Sequence, residues 1–174
     1  MANLQANLRS QCAMVSNDPE QFLRSINQLL YQNTPESAYA TLFFGEYDDK
    51  DKCLRYANCG HVAGILLRSD HRVERLDSTC TVLGLFKEWD CAMEECHLSP
   101  GDTLALYTDG VTESVNDSGE EFGERRLVEA LRRHRDQGPG AFVRHIIDEV
   151  QRFGCHEQHD DITVLIAKCS NSLA

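Results

Sequence analysis

Two acidic stretches carry the residue types that hold a hard divalent cation. In Tyr107-Thr108-Asp109-Gly110-Val111-Thr112-Glu113, the apolar, strand-like run 103–107 leads straight into Asp109-Gly110. The glycine is expected to supply the positive φ of a turn, which leaves Asp109 at the end of a strand. A carboxylate fixed there ligates Mg2+ or Mn2+ once a second carboxylate arrives from elsewhere in the chain. Asp160-Asp161, just before the apolar run 162–167, is the candidate. If the two runs are neighbouring strands, both carboxylates come to one edge of one sheet, with waters and a phosphate to complete the coordination. The bland reading is a common turn dipeptide and a solvated loop, and spacing alone does not separate the two.

Other reactive groups are less specific. Asn58-Cys59-Gly60-His61 sets a ligand or proton donor beside a glycine at a strand break, a pattern that a purely structural histidine also fits. Cys155-His156-Glu157-Gln158-His159 has its histidines at i and i+3 after Gly154, whereas a zinc protease needs them at i and i+4 on a helix. An aspartyl-phosphate mechanism wants an acid two residues after the nucleophile, and Val111 occupies that place. There is no Walker A sequence, no Gly-x-Gly-x-x-Gly after a strand and no Gly-x-Ser-x-Gly elbow. The 8 cysteines (Cys12, Cys53, Cys59, Cys80, Cys91, Cys96, Cys155, Cys169) include no Cys-x-x-Cys pair and read as reduced thiols in apolar company.

The elements that must position these residues follow from periodicity. Met1, Leu4, Leu8, Cys12 and Val15 recur at helical spacing. A second helix starts at Asp18 as N-cap and Pro19 at its first position, with Gln21 placed as in a capping box and Phe22, Ile26, Leu29 and Leu30 as its buried stripe. Strands are expected over 39–47, 53–58, 62–68, 72–76 and 103–107, with 81–85 apolar and 89–98 partly alternating. Helices follow over 124–133 and 141–153, Gly154 fits the C′ position of the latter, and 162–167 closes the chain as a strand. The order is that of an α+β layered domain with mostly antiparallel strands and helices outside.

Composition narrows the class. The 174 residues, 41% hydrophobic and 26% charged, suit one globular domain spanning 1–174. A net charge of −11 opposes binding to nucleic acid or to an anionic membrane. No apolar run reaches membrane-spanning length and no basic-then-apolar leader opens the chain, so a cytoplasmic protein is expected.

In order and spacing, seven segments resemble the catalytic domain of metal-dependent (PPM, type 2C-like) serine/threonine protein phosphatases, and above all the bacterial branch that controls sporulation and stress sigma factors. They are Tyr39-Ala40-Thr41-Leu42-Phe43-Phe44-Gly45, Tyr56-Ala57-Asn58-Cys59-Gly60-His61, Val82-Leu83-Gly84-Leu85, Leu98-Ser99-Pro100-Gly101-Asp102, 107–113, Phe122-Gly123 and Asp160-Asp161-Ile162-Thr163. The resemblance implies a β-sandwich flanked by helices, with Asp109 and Asp160 as metal ligands and Gly110, Glu113, Asp161, Asn58 and His61 near the site. It further implies two Mn2+ or Mg2+ ions activating a water toward phosphoserine or phosphothreonine, with no phosphoenzyme. The implied substrate is a phosphorylated regulatory protein of the anti-sigma antagonist type, and an upstream sensor domain is expected. The family's Asp-x-x-Gly-x-Gly segment, which precedes a helix similar to Met1-Ala2-Asn3-Leu4-Gln5, does not occur. The expectation is therefore an N-terminally truncated domain that lacks its first strands and the metal-bridging carboxylate. Such a chain should bind metal weakly or not at all, be impaired in activity, and pair its open sheet edge with a second copy. The alternative from a different class is a non-catalytic, phosphatase-like binding module.

Overall fold

The computed structural model describes residues 18–35, 38–154 and 161–170. Its elements are α1 (Pro19–Asn33), β1 (Leu42–Asp48), β2 (Cys53–Cys59), β3 (Gly64–Leu67), β4 (Val73–Leu76), β5 (Glu94–His97), β6 (Thr103–Tyr107), α2 (Asp109–Thr112), α3 (Gly123–His134), α4 (Pro139–Phe153) and β7 (Val164–Lys168). The amphipathic run 1–15 lies outside the described residues. Among those described, no helix is long and apolar enough to cross a membrane. The chain forms two compact units, one built from 1–61 and 78–97 and the other from 62–77 and 98–174.

The first unit holds α1 and an antiparallel sheet of order β1-β2-β5. Helix α1 starts as its sequence dictates: Gln21 N–H donates to Asp18 Oδ1 at 3.0 Å, and Pro19 occupies a position whose N–H would have no partner in the helix. Its buried face is Phe22, Leu23, Ile26, Asn27 and Leu30, whereas Leu29, expected in the stripe, is only partly covered. The shift of the face toward Asn27 has a cause. The Asn27 side chain donates to Phe86 C=O at 3.0 Å and accepts from Gly84 N–H at 2.8 Å, which ties the segment around Val82-Leu83-Gly84-Leu85 to the helix. Gly84 sits at φ +87, and a Cβ there would lie 3.1 Å from Leu30 Cβ, so both backbone and space require glycine. Around this clamp Phe22, Leu23, Ile26, Leu30, Ala57, Cys59, Leu83 and Cys91 form one apolar core. Each large aliphatic side chain in it contributes roughly 1.5–3 kcal/mol of transfer free energy.

The second unit holds the antiparallel sheet β4-β3-β6-β7 together with α2, α3 and α4. Leu127, Ala130 and Leu131 of α3 and Phe142, Ile146 and Val150 of α4 share a core with Ile65, Leu67, Ala105 and Tyr107 of the strands. The turn before β6 is fixed by Asp102, which is 1% exposed. Asp102 accepts from Ser69 N–H (2.8 Å), Ser99 N–H (2.9 Å) and the Arg68 guanidinium (2.9 Å), while Arg68 also pairs with Glu74 at 2.6 Å. Helix α4 ends at Gly154 as anticipated, but the residue is extended (φ −70, ψ 153) and not left-handed. A Cβ there would come within 2.7 Å of Ser114 Oγ, so a larger residue would require the Ser114 side chain to turn away.

Candidate metal centre

The register of β6 against β7 decides where the two acidic segments meet. Tyr107 pairs with Val164, so the C-terminal end of β6 faces the N-terminal end of β7. Beyond that pair the ladder continues through Thr108. Its N–H donates to Thr163 C=O at 3.1 Å, its hydroxyl donates to Asp161 C=O at 2.8 Å, and the same hydroxyl accepts from Thr163 N–H at 2.9 Å. Thr108 thus ties Asp161-Ile162-Thr163 to the residue immediately before Asp109. The expectation that the two runs are neighbouring strands holds. Asp160 itself lies outside the described residues, and its neighbour Asp161 is exposed at this sheet end.

Asp109 is the first residue of the short helix α2, with Thr108 extended (φ −86, ψ 158) as its N-cap. The turn expected from Asp-Gly is therefore a helical turn, and Gly110 is not among the glycines with positive φ. Gly110 and Val111 are buried, which seats the turn on the core, while the Asp109 side chain points out. Gly110 N–H donates to Asp109 Oδ1 at 3.0 Å and holds the carboxylate in one orientation. The Asp109 carbonyl accepts from Glu113 N–H at 2.8 Å and from the Thr112 hydroxyl at 3.2 Å. Glu113 is exposed one helical turn after Asp109. Burial pushes the adjacent Tyr107 phenol up to about 12, so it stays un-ionised at neutral pH.

An oriented, exposed carboxylate beside a second acidic segment offers oxygen donors, the chemistry that suits Mg2+ or Mn2+ and not a soft ion. Asp109 fits such an ion: one oxygen is fixed by Gly110 and the group faces solvent.

Asn58 and His61 belong to the first unit. Asn58 is fully buried, and its Oδ1 accepts from His61 N–H at 2.8 Å. Its carbonyl accepts from Thr79 N–H, Cys80 N–H and the Ser78 hydroxyl. Gly60 takes φ +69, and a Cβ there would meet Val82 Cγ1 at 2.6 Å. These contacts make Asn58 the keystone of a tight turn. The residues that sequence reasoning passed over are Thr108, whose hydroxyl gives no motif signal of its own, and Asn27 and Asp102, which are polar residues in positions the apolar pattern ignores. The Cys155-to-His159 run lies outside the described residues.

A family model described as stage II sporulation protein E (SpoIIE) matches residues 1–170. Among curated proteins, the chain is 29% identical over 152 residues to the phosphoserine phosphatase RsbU of Bacillus subtilis, covering 86% of this chain and 45% of that protein. It spans less than half the length of the curated relatives it matches. Among solved structures it is similar to the SiaA-PP2C domain of Pseudomonas aeruginosa, with a TM-score of 0.82 and 24% identity over 95% of this chain and 67% of that one. It is also similar to the catalytic domain of the serine/threonine protein phosphatase PstP in complex with 2 manganese ions, with a TM-score of 0.71 and 16% identity over 98% of this chain and 82% of that one. These structural likenesses establish a shared fold of antiparallel sheets and helices.

Proposed function

The chain belongs to the SpoIIE family, and on that premise we propose that it is the catalytic portion of a metal-dependent protein-serine/threonine phosphatase acting on a phosphorylated regulatory protein of the anti-sigma antagonist type. The observation that carries this reading is the junction of β6 and β7. There the hydroxyl of Thr108, the residue immediately before Asp109, bridges to Asp161 and Thr163, and this supports a shared site for the two acidic segments. The name of RsbU, a phosphoserine phosphatase, supports the substrate class. The manganese complex of PstP supports a divalent cofactor.

Asp109 and Asp160 would hold Mn2+ or Mg2+, with Asp161 and Glu113 adding negative charge nearby. Such an ion lowers the pKa of a water and offsets charge on the phosphoryl oxygens. What the chain itself does is positional: Gly110 N–H orients the Asp109 carboxylate, and Thr108 holds the facing segment at hydrogen-bonding distance. We take the two units as one domain, because the chain passes between them after His61, Asp77 and His97 and neither is a continuous piece.

The test is hydrolysis of a phosphoserine peptide under saturating Mn2+. The protein used is the chain joined to an upstream segment bearing Asp-x-x-Gly-x-Gly. Activity that depends on Mn2+ and disappears in Asp109→Asn is expected. Inactivity of that protein, with its fold intact, would replace the enzyme by the non-catalytic binding module.

A further inference from the structure

Three cysteines that share no sequence motif meet in the first unit. Cys80 Sγ lies 3.1 Å from Cys91 Sγ and 3.4 Å from Cys59 Sγ, and all three sulfurs fall within 4.8 Å of one another. Cys59 is fully buried, Cys91 is 5% exposed, and Cys80 is half-buried, which makes Cys80 the most accessible of the three. Backbone structure brings each thiol to the same point. Cys59 ends β2 and forms a parallel bridge with Cys80, and the Asn58 carbonyl accepts from Cys80 N–H at 3.2 Å. Cys91 N–H donates to Asp90 Oδ1 at 3.0 Å, and that oxygen is gripped by the Arg24 guanidinium of α1 at 2.9 and 3.2 Å. The thiols are therefore held before any ligand arrives, among Phe22, Ala57, Leu83 and Trp89.

We propose that Cys59, Cys80 and Cys91 form a trithiolate site for a single soft, thiophilic metal ion. An ion about 2.3 Å from each sulfur separates the sulfurs by roughly 3.8–4.0 Å, so the observed trio need open by less than about 1 Å. Thiolates select ions such as Cu+ and Zn2+ over Mg2+ or Mn2+. Among the described residues no histidine or carboxylate joins the cluster. Three sulfurs, with no fourth ligand among the described residues, favour a three-coordinate ion of the Cu+ type. Binding replaces the three thiol protons by the ion, which releases protons to solvent and changes no oxidation state. Donation from the Cys59 and Cys91 thiols lowers the pKa of Cys80, so the most accessible sulfur is the first to ionise. This site differs in chemistry from the carboxylate centre at Asp109, and one metal does not substitute for the other.

The experiment is an anaerobic titration of the reduced full chain, with Cd2+ followed by its ultraviolet thiolate-to-metal absorption and Cu+ followed by competition with a chromogenic chelator. One ion per chain is expected, unaffected by excess Mn2+. Cys80→Ser, at the half-buried position, should leave the circular dichroism unchanged. It should weaken binding by more than the roughly 10–100-fold that loss of a supporting outer-shell partner causes. A chain carrying Cys12→Ser, Cys53→Ser, Cys96→Ser, Cys155→Ser and Cys169→Ser together should bind as the parent does. Binding that survives Cys80→Ser, or no stoichiometric binding by the reduced parent, would overturn the proposal. A trio that takes up no metal and instead oxidises to a Cys80–Cys91 disulfide would make it a thiol pair and no metal site.

Discussion

The hydroxyl of Thr108 accepts from the backbone N–H of Thr163 at 2.9 Å, and through this contact the residue before Asp109 holds the start of β7 in register. The same hydroxyl donates to Asp161 C=O. Thr108→Val keeps the shape and removes both bonds. It should cost about 1–2 kcal/mol of stability in urea unfolding. Mn2+-dependent hydrolysis should fall further than stability does, because the Asp161–Thr163 segment is no longer tied to the residue before Asp109. A variant that unfolds at lower urea yet retains full kcat/KM would show that the hydroxyl serves the fold alone.

Asn58 separates a structural role from a chemical one. Asn58→Ala leaves His61 N–H without its side-chain acceptor in a half-buried turn, and the loss should be about 1–3 kcal/mol. His61→Ala leaves that backbone N–H bond in place and should be milder. Thermal unfolding of the two variants side by side gives the ranking. Equal destabilisation would contradict it.

Arg68 faces Asp102 with only 16% of its side chain exposed, against 1% for Asp102. Arg68→Met strips the buried carboxylate of its cation while keeping much of the side-chain volume, and should cost about 3 kcal/mol. The two backbone N–H donors that remain on Asp102 keep the loss from rising higher. Chemical denaturation of the variant measures this, and a change below about 0.5 kcal/mol would mean that those N–H groups suffice.

Glu74 gives the pair a pH dependence with a definite sign. The hydrogen bonds from the Arg68 guanidinium hold the Glu74 carboxyl below its ordinary value of 4.5. A carboxyl depressed in the folded state stabilises it fully above the unfolded value and loses that contribution as pH falls through the folded value. The difference in stability between the parent and Glu74→Gln should therefore be constant at neutral pH and shrink below about pH 4.5. With 40% of its side chain in solvent, the contribution is at most about 1 kcal/mol. A difference that grows on acidification would reverse the assignment.

Gly60 is held in place by both backbone and neighbour, at φ +69 and with Val82 Cγ1 where a Cβ would go. Gly60→Ala should lose roughly 1–3 kcal/mol from backbone strain alone. Restoring space with Val82→Ala in the double variant should recover only part of that loss, since the strain in φ remains. Full recovery in a double-mutant cycle would assign the whole effect to crowding.

How much the chain discloses on inspection varies with the kind of signal. The Asp18 cap and Pro19 start of α1 rest on local chemistry and were legible, as were the strand end at Tyr107 and the pairing of its strand with the closing one, although that strand starts at Val164 and not at Ile162. Gly110 misled, because Asp-Gly is compatible with either a left-handed turn or the opening of a helix, and the buried Val111 that decides between them is a tertiary fact. Leu29 misled for a similar reason: the apolar pattern takes no account of Asn27, whose partners at Gly84 and Phe86 lie far along the chain. The thiol cluster left no trace at all, since Cys59, Cys80 and Cys91 come from separate segments and metal motifs are recognised by short spacing.

The interleaving of the two units has a consequence for synthesis. As the chain emerges from the ribosome, β3 and β4 appear before β6, their partner in the finished sheet. They also appear before residues 78–97, which complete the first unit. The nascent β3–β4 hairpin must therefore wait with an apolar strand, Gly64–Leu67, unpaired on one side. Such a strand is a target for holdase chaperones and for premature association between neighbouring chains on one message. Rapid translation through residues 78–107 would shorten that interval.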